Sequence, residues 1–152
     1  MKALSLLARR GPREWLLAME ALTCLLWARI LVSTRSFPRL ARGFGQPQSE
    51  TAHLIAPPDR AVAVKVSWAV QAVARHLPLG LVCLPQAIAA QWMLRRRGLP
   101  TTLYFGVASN PAKQDAVEAH AWLRAGDKIV TGEEGVRKHH PVEWFADNCP
   151  PV

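Results

Sequence analysis

The chain is expected to fold as an α+β protein, with N-terminal helices followed by a small antiparallel sheet. Three observations support this. In the first hundred residues apolar side chains recur at spacings of three and four, the helical period. Gly98-Leu99-Pro100 then stops the last such run, with glycine as a C-terminal cap and proline soon after. Beyond it, the stretch TTLYFGVA (101–108) is β-branched and aromatic, and a second strand and a third meet at the turn Ala125-Gly126-Asp127.

The elements follow in order. A first helix starts after Gly11-Pro12, since proline suits a first turn and Glu14 suits the positive end of the helix dipole. Its stripe of Trp15, Leu16, Met19, Leu22, Thr23, Leu26, Trp27 and Ile30 reads as core or as a face for a partner protein, ahead of an amphipathic helix lying on a membrane surface. Residues 35–58 hold prolines, glycines and polar groups and read as a loop. Asp59 can cap a second helix that ends near His76 and buries Val62, Val66, Ala69, Val70 and Val73. Pro85 belongs in the first turn of a third helix running to Arg97, so Cys83 opens that helix or just precedes it. Ser109-Asn110-Pro111 is a turn, 118–124 and 128–131 pair as a hairpin, and 132–140 reads as loop with an irregular tail behind it. The division is an N-terminal helical region and loop (1–58) and a core (59–152), together forming one compact unit.

With 152 residues the chain has material for one domain with a real core. Its net charge of +8 comes from 19 Lys and Arg against 11 Asp and Glu. The cations cluster at Lys2, Arg9, Arg10, Arg13, Arg29, Arg35, Arg39 and Arg42, and again at Arg95-Arg96-Arg97. They suit an acidic peptide, a nucleic acid or an anionic membrane, or are simply solvated faces; for the second cluster a solvated C-terminal turn is expected. Three cysteines without a CxxC pair indicate neither a disulfide framework nor a zinc site, and a reducing, cytoplasmic location fits. No cofactor or metal motif is present. The first helix is interrupted by Glu20 and Arg29, so it reads as a soluble helix without an integral membrane segment.

Cys83 is the residue with chemistry in it. A thiol attacks as thiolate, and the unsatisfied N–H groups of a helix start both lower its pKa and can receive a developing oxyanion. A base must lie within reach, and histidine is the usual one. His53 and His76 precede the cysteine, and His139 and His140 fall in the expected loop. His120 is on a strand that would pack against the Cys83 helix. The plain alternative is a buried, inert thiol and a structural histidine.

The ordered set Cys83-Leu84-Pro85, Ala87, Ala89, Arg97-Gly98, Gly106-Val107 and Ala119-His120-Ala121-Trp122 resembles the leader-peptidase domain of lasso-peptide biosynthesis. That family belongs to the transglutaminase-like branch of papain-fold cysteine peptidases. The resemblance implies a catalytic helix packed on a small antiparallel sheet, with Cys83 as nucleophile and His120 as base. Many relatives orient the histidine with an Asp about a dozen residues later. Here the position across the hairpin from His120 is near Gly132, which leaves Glu133 as the candidate orienter if a bulge re-aims the strand, or else a backbone carbonyl or water. Trp122 shares a strand face with His120 and could line the substrate groove or be core. Gln86, where relatives often carry Arg, should not affect the chemistry.

The function implied is removal of the leader from a ribosomally made precursor peptide before a separate ATP-dependent lasso cyclase acts. Leader recognition would come from a free-standing winged-helix recognition element, which the first helix or the basic N-terminal region could contact. The competing expectations are acyl transfer to an amine, a non-catalytic peptide-binding shell, and a basic membrane- or nucleic-acid-associated protein. No nucleic-acid partner is expected on the first reading.

Overall fold

The computed structural model describes residues 11–109 and 116–149. Asn110 and Pro111 of the expected turn, most of the connection after it, and Lys2, Arg9 and Arg10 lie outside those residues. The chain runs α1 (Pro12–Thr34), α2 (Phe37–Ala41), β1 (Gln46–Pro47), α3 (Pro57–His76), α4 (Cys83–Arg95), β2 (Thr101–Ser109), β3 (Val117–Ala125), β4 (Lys128–Thr131), α5 (Glu133–Val136) and β5 (His140–Asp147). The five strands form one antiparallel sheet in the order β1-β5-β2-β3-β4, so the architecture is α+β.

Helix α4 is the centre of the packing. Ala87, Ile88, Ala89, Ala90 and Gln91 are consecutive and all buried, which requires neighbours on every side of the helix. α1 and α3 cover it on one side through Ala21, Leu25, Ala28, Ala63, Val66 and Val70, and the sheet covers the other through Leu103, Leu123, Ala125 and Phe145. Small residues at 87, 89 and 90 let these layers approach closely. Truncating a fully enclosed side chain such as Leu94 costs about 2–5 kcal/mol in such a setting. The helix closes with the Leu99 N–H on the Leu94 carbonyl and the Gly98 N–H on the Arg95 carbonyl, with Gly98 at φ 69°.

Two expectations about the core are corrected. The apolar stripe of α1 is not the buried side. Ala18, Ala21, Cys24, Leu25 and Ala28 face inward, while Trp15, Leu16, Met19, Leu26, Trp27 and Ile30 face solvent. Close helix–helix packing selects the small residues, and hydrophobicity alone points to the wrong face. The same helix is long and apolar enough to cross a membrane by length and composition, although its inward side is committed to the core. The tail is not irregular either. β5 pairs with β2 from Thr101↔Asp147 to Val107↔His140, and a short β1, drawn from the expected loop 35–58, pairs on its other edge. α3 starts at Pro57, so Asp59 stands in its first turn; the cap position is Ala56.

The arginines that close α4 face solvent as expected and are anchored there as well. Arg97 makes a bidentate pair with Glu20, at 2.9 Å to Oε1 and 2.6 Å to Oε2, and Arg96 joins from the other side. Arg95 bonds the Asp147 carboxylate at 2.6 Å and the Gly43 carbonyl at 2.8 Å. α1 and β5 are thereby tied to one end of α4. The hydrogen bond from Arg97, helped by Arg96, holds the Glu20 carboxyl below its ordinary 4.5. A carboxyl depressed in the folded state adds stability above its unfolded pKa and loses it as pH falls through the lower folded value. Glu20→Gln is therefore expected to lower stability by about 1 kcal/mol at neutral pH, and the gap to the native chain should close in acid. Urea midpoints across a pH series check this; a gap that stays constant into acid contradicts it.

Candidate active site

Cys83 is the first residue of α4. Val82 before it is extended (φ −73°, ψ −172°), and Pro85 occupies the first turn, where a missing N–H leaves no gap in the helix ladder. Gln86 ties the approach down by donating from Nε2 to the Leu81 carbonyl at 2.6 Å. The N–H groups of Cys83 and Leu84 belong to the unsatisfied set at a helix start, directed at whatever stands beside the thiol. The thiol is half-buried and, among the described residues, makes no hydrogen bond.

His120 sits in β3, paired with Gly106 of β2. Its Nε2 lies 2.9 Å from the Gly132 carbonyl oxygen. A carbonyl can only accept, so Nε2 carries the proton and a neutral ring keeps its lone pair on Nδ1. The ring is held from two sides by stacking, on Trp122 at 6.2 Å between centroids and on His139 at 5.0 Å. Trp122 in turn stacks on Tyr104 at 5.4 Å and 7°. Gly106 makes room for this ladder: a Cβ there would lie 2.6 Å from the Trp122 ring. Buried Arg124 anchors its far end, donating from Nε to the Tyr104 hydroxyl at 3.0 Å and from Nη2 to the Thr51 carbonyl at 2.9 Å. The buried setting raises the Tyr104 phenol above its ordinary pKa, opposed by Arg124.

The residue that orients His120 is Gly132. Glu133, the carboxylate expected there, is 73% exposed and lies 3.7 Å from Lys128 Nζ. The pairs Arg124↔Ile129 and Leu123↔Thr131 leave Val130 as an extra residue, so a bulge exists, two residues earlier than the one invoked at Gly132. Gly132 adopts φ 77° at the start of α5, a left-handed turn that swings its carbonyl toward the imidazole. Gly135 packs directly under the ring, where a Cβ would overlap it.

Strand alternation separates Cys83 from this cluster. Leu123 and Ala125 belong to the core around α4, so His120, Trp122 and Arg124 lie on the opposite face of β3. Trp122 is thus a buried member of the ring stack beside His120. Among the described residues no hydrogen bond joins the Cys83 thiol to His120. The helix that carries Cys83 does pack on the strand that carries His120. Arg95, at the end of α4, meets Asp147, which pairs with Thr101 at the start of β2. Thirteen helical residues and six strand steps each cover about 20 Å, which brings Cys83 back toward Val107 and its partner Ala119.

Two neighbours escaped the sequence reading. His139 is 7% exposed, with Nδ1 2.9 Å from the Gly135 carbonyl, and its buried Nε2 has no partner among the described residues. Nothing in a short polar segment signals such burial. Arg124 carried a fainter signal, being a charged residue between Leu123 and Ala125 in a strand otherwise apolar toward its end. No group of three or more His, Cys, Asp or Glu side chains able to hold a metal occurs among the described residues.

Residues 18–143 match the profile of the transglutaminase-like superfamily, and the chain belongs to that family. The match starts inside α1 and ends within β5, so it takes in both the helical layer and the sheet. Searches of curated proteins and of solved structures each returned no match.

The contact of Gly135 with His120 is testable. Gly135→Ala should shift the His120 ring resonances and destabilise the fold by roughly 1–3 kcal/mol. Imidazole NMR and thermal unfolding read the two effects; unchanged His120 signals would refute the contact.

Proposed function

We propose that this chain is a cysteine peptidase that removes the leader from a ribosomally synthesised lasso-peptide precursor, ahead of a separate ATP-dependent cyclase. The observation that carries the reading is the His120 hydrogen bond to Gly132, which leaves Nδ1 able to accept a proton. The ordered motifs around Cys83 and His120 and the family membership support it. The reaction requires His120 to come round to the Cys83 side of β3; it then takes the Cys83 proton and the thiolate attacks the scissile carbonyl. The N–H groups at the start of α4 receive the oxyanion. His120 then protonates the leaving amine, and water hydrolyses the thioester. A separate winged-helix recognition element binds the leader and delivers the precursor to this chain.

Precursor, recognition element and this chain are incubated together and read by mass. Cys83→Ala should abolish cleavage, and His120→Gln should slow it by about a thousandfold or more. Glu133→Gln should leave it nearly unchanged, because the orienting oxygen is the Gly132 carbonyl. Cleavage that survives Cys83→Ala sinks the mechanism. Strong loss in Glu133→Gln would return the orienting role to that carboxylate.

Two observations favour a second reading, a peptide-binding shell without catalysis: the unbridged Cys83 thiol and the opposite facing of His120. Iodoacetamide labelling separates the two. A thiolate activated by His120 reacts near neutral pH and slows in His120→Gln, whereas an inert thiol does neither.

A further inference from the structure

Helix α1 carries two faces, and the cores of both are apolar. At 100° per residue, the inward face is Ala18, Ala21, Cys24, Leu25 and Ala28. Directly opposite runs a second stripe of Trp15, Leu16, Met19, Leu26, Trp27 and Ile30. Leu16 is 72% exposed, Trp27 55%, Met19 53% and Ile30 50%. No charge interrupts it: Glu20 is turned to Arg96 and Arg97, and Arg29 is turned to the Leu79 carbonyl on the flank. Thr23, the one hydroxyl on the stripe, bonds the Met19 carbonyl of its own helix.

We propose that this face docks the domain on an anionic lipid bilayer, with α1 lying in the interface plane. Protein interfaces carry about one hydrogen bond per 100–200 Å², and the stripe offers only two indole N–H groups toward such bonds. Hydrocarbon needs none, and tryptophan favours the headgroup boundary. The rim supplies the charge complementarity. Arg13 stands at one end of α1 and Arg35, Arg39 and Arg42 at the other, all exposed and, among the described residues, with no ion pair or hydrogen bond from the guanidinium. A helix of 23 residues, about 34 Å long, thus turns an apolar face to solvent and carries exposed arginines at both of its ends. It lies on the surface without crossing, because its other face is held in the core by Leu25 and Ala28. The inference is independent of the reading of Cys83.

The full chain is sedimented with phosphatidylcholine vesicles, with and without phosphatidylglycerol. The native chain should pellet with the anionic vesicles and do so less as salt rises. Trp27→Ser with Ile30→Ser should weaken binding roughly tenfold or more, with unchanged circular dichroism. Arg35→Gln, Arg39→Gln and Arg42→Gln together, a set that leaves the helix packing untouched, should also weaken it roughly tenfold and flatten the salt dependence. Failure of the native chain to pellet, or equal pelleting of the variants, overturns the proposal. So does a self-associated native chain that ignores vesicles and becomes monomeric in the serine variant, which assigns the face to a second copy. Recognition-element binding lost in the serine variant, without vesicle binding, assigns it to that partner.

Discussion

The enclosure of α4 is the constraint on which the rest of the structure depends. A helix with five consecutive buried residues offers no face to water, so it needs two helices on one side and a sheet on the other. Its small residues set how close those layers come, and its ends decide what else is fixed. The C-terminal end is locked by Arg95 to Asp147 and by Arg96 and Arg97 to Glu20, tying β5 and α1 to the same point. The N-terminal end carries Cys83. A thiol at the start of the most confined element in the molecule has a well-defined position and a ready set of N–H groups beside it.

The second organising feature lies on the far face of the sheet. Arg124, Tyr104, Trp122, His120 and His139 form one continuous stack, closed by the Gly132 carbonyl. Stacking fixes the plane of the imidazole and the carbonyl fixes its tautomer. A backbone oxygen can do this without a carboxylate, at the expense of less charge stabilisation for an imidazolium. Glycine at 106, 132 and 135 follows from the same crowding, since each presses its backbone against a ring of the stack.

Much of this was readable in the chain. The helix from Cys83, its Gly98 closure and the strand around His120 have local causes: proline placement, a left-handed glycine and β-branched residues in a run. The shared strand face of His120 and Trp122 follows from alternation alone. What misled was hydrophobicity. On α1 the larger apolar residues suit a core or a partner face equally, and alanines hold the interior because close helix packing favours them. β5 passed for an irregular tail because proline, histidine and glutamate interrupt its pattern, and its place beside β2 rests on backbone pairing that composition does not reveal.

The sequence by itself determined the α+β order, the position of Cys83 at a helix start and the family to which the chain belongs, because each is carried by local residue chemistry or by ordered motifs. Only the tertiary structure decided which side of α1 meets water, that Gly132 and not Glu133 meets His120, and that His139 is buried against it. These depend on the exact approach of segments far apart in the chain, where a small backbone rotation selects a carbonyl over a neighbouring carboxylate.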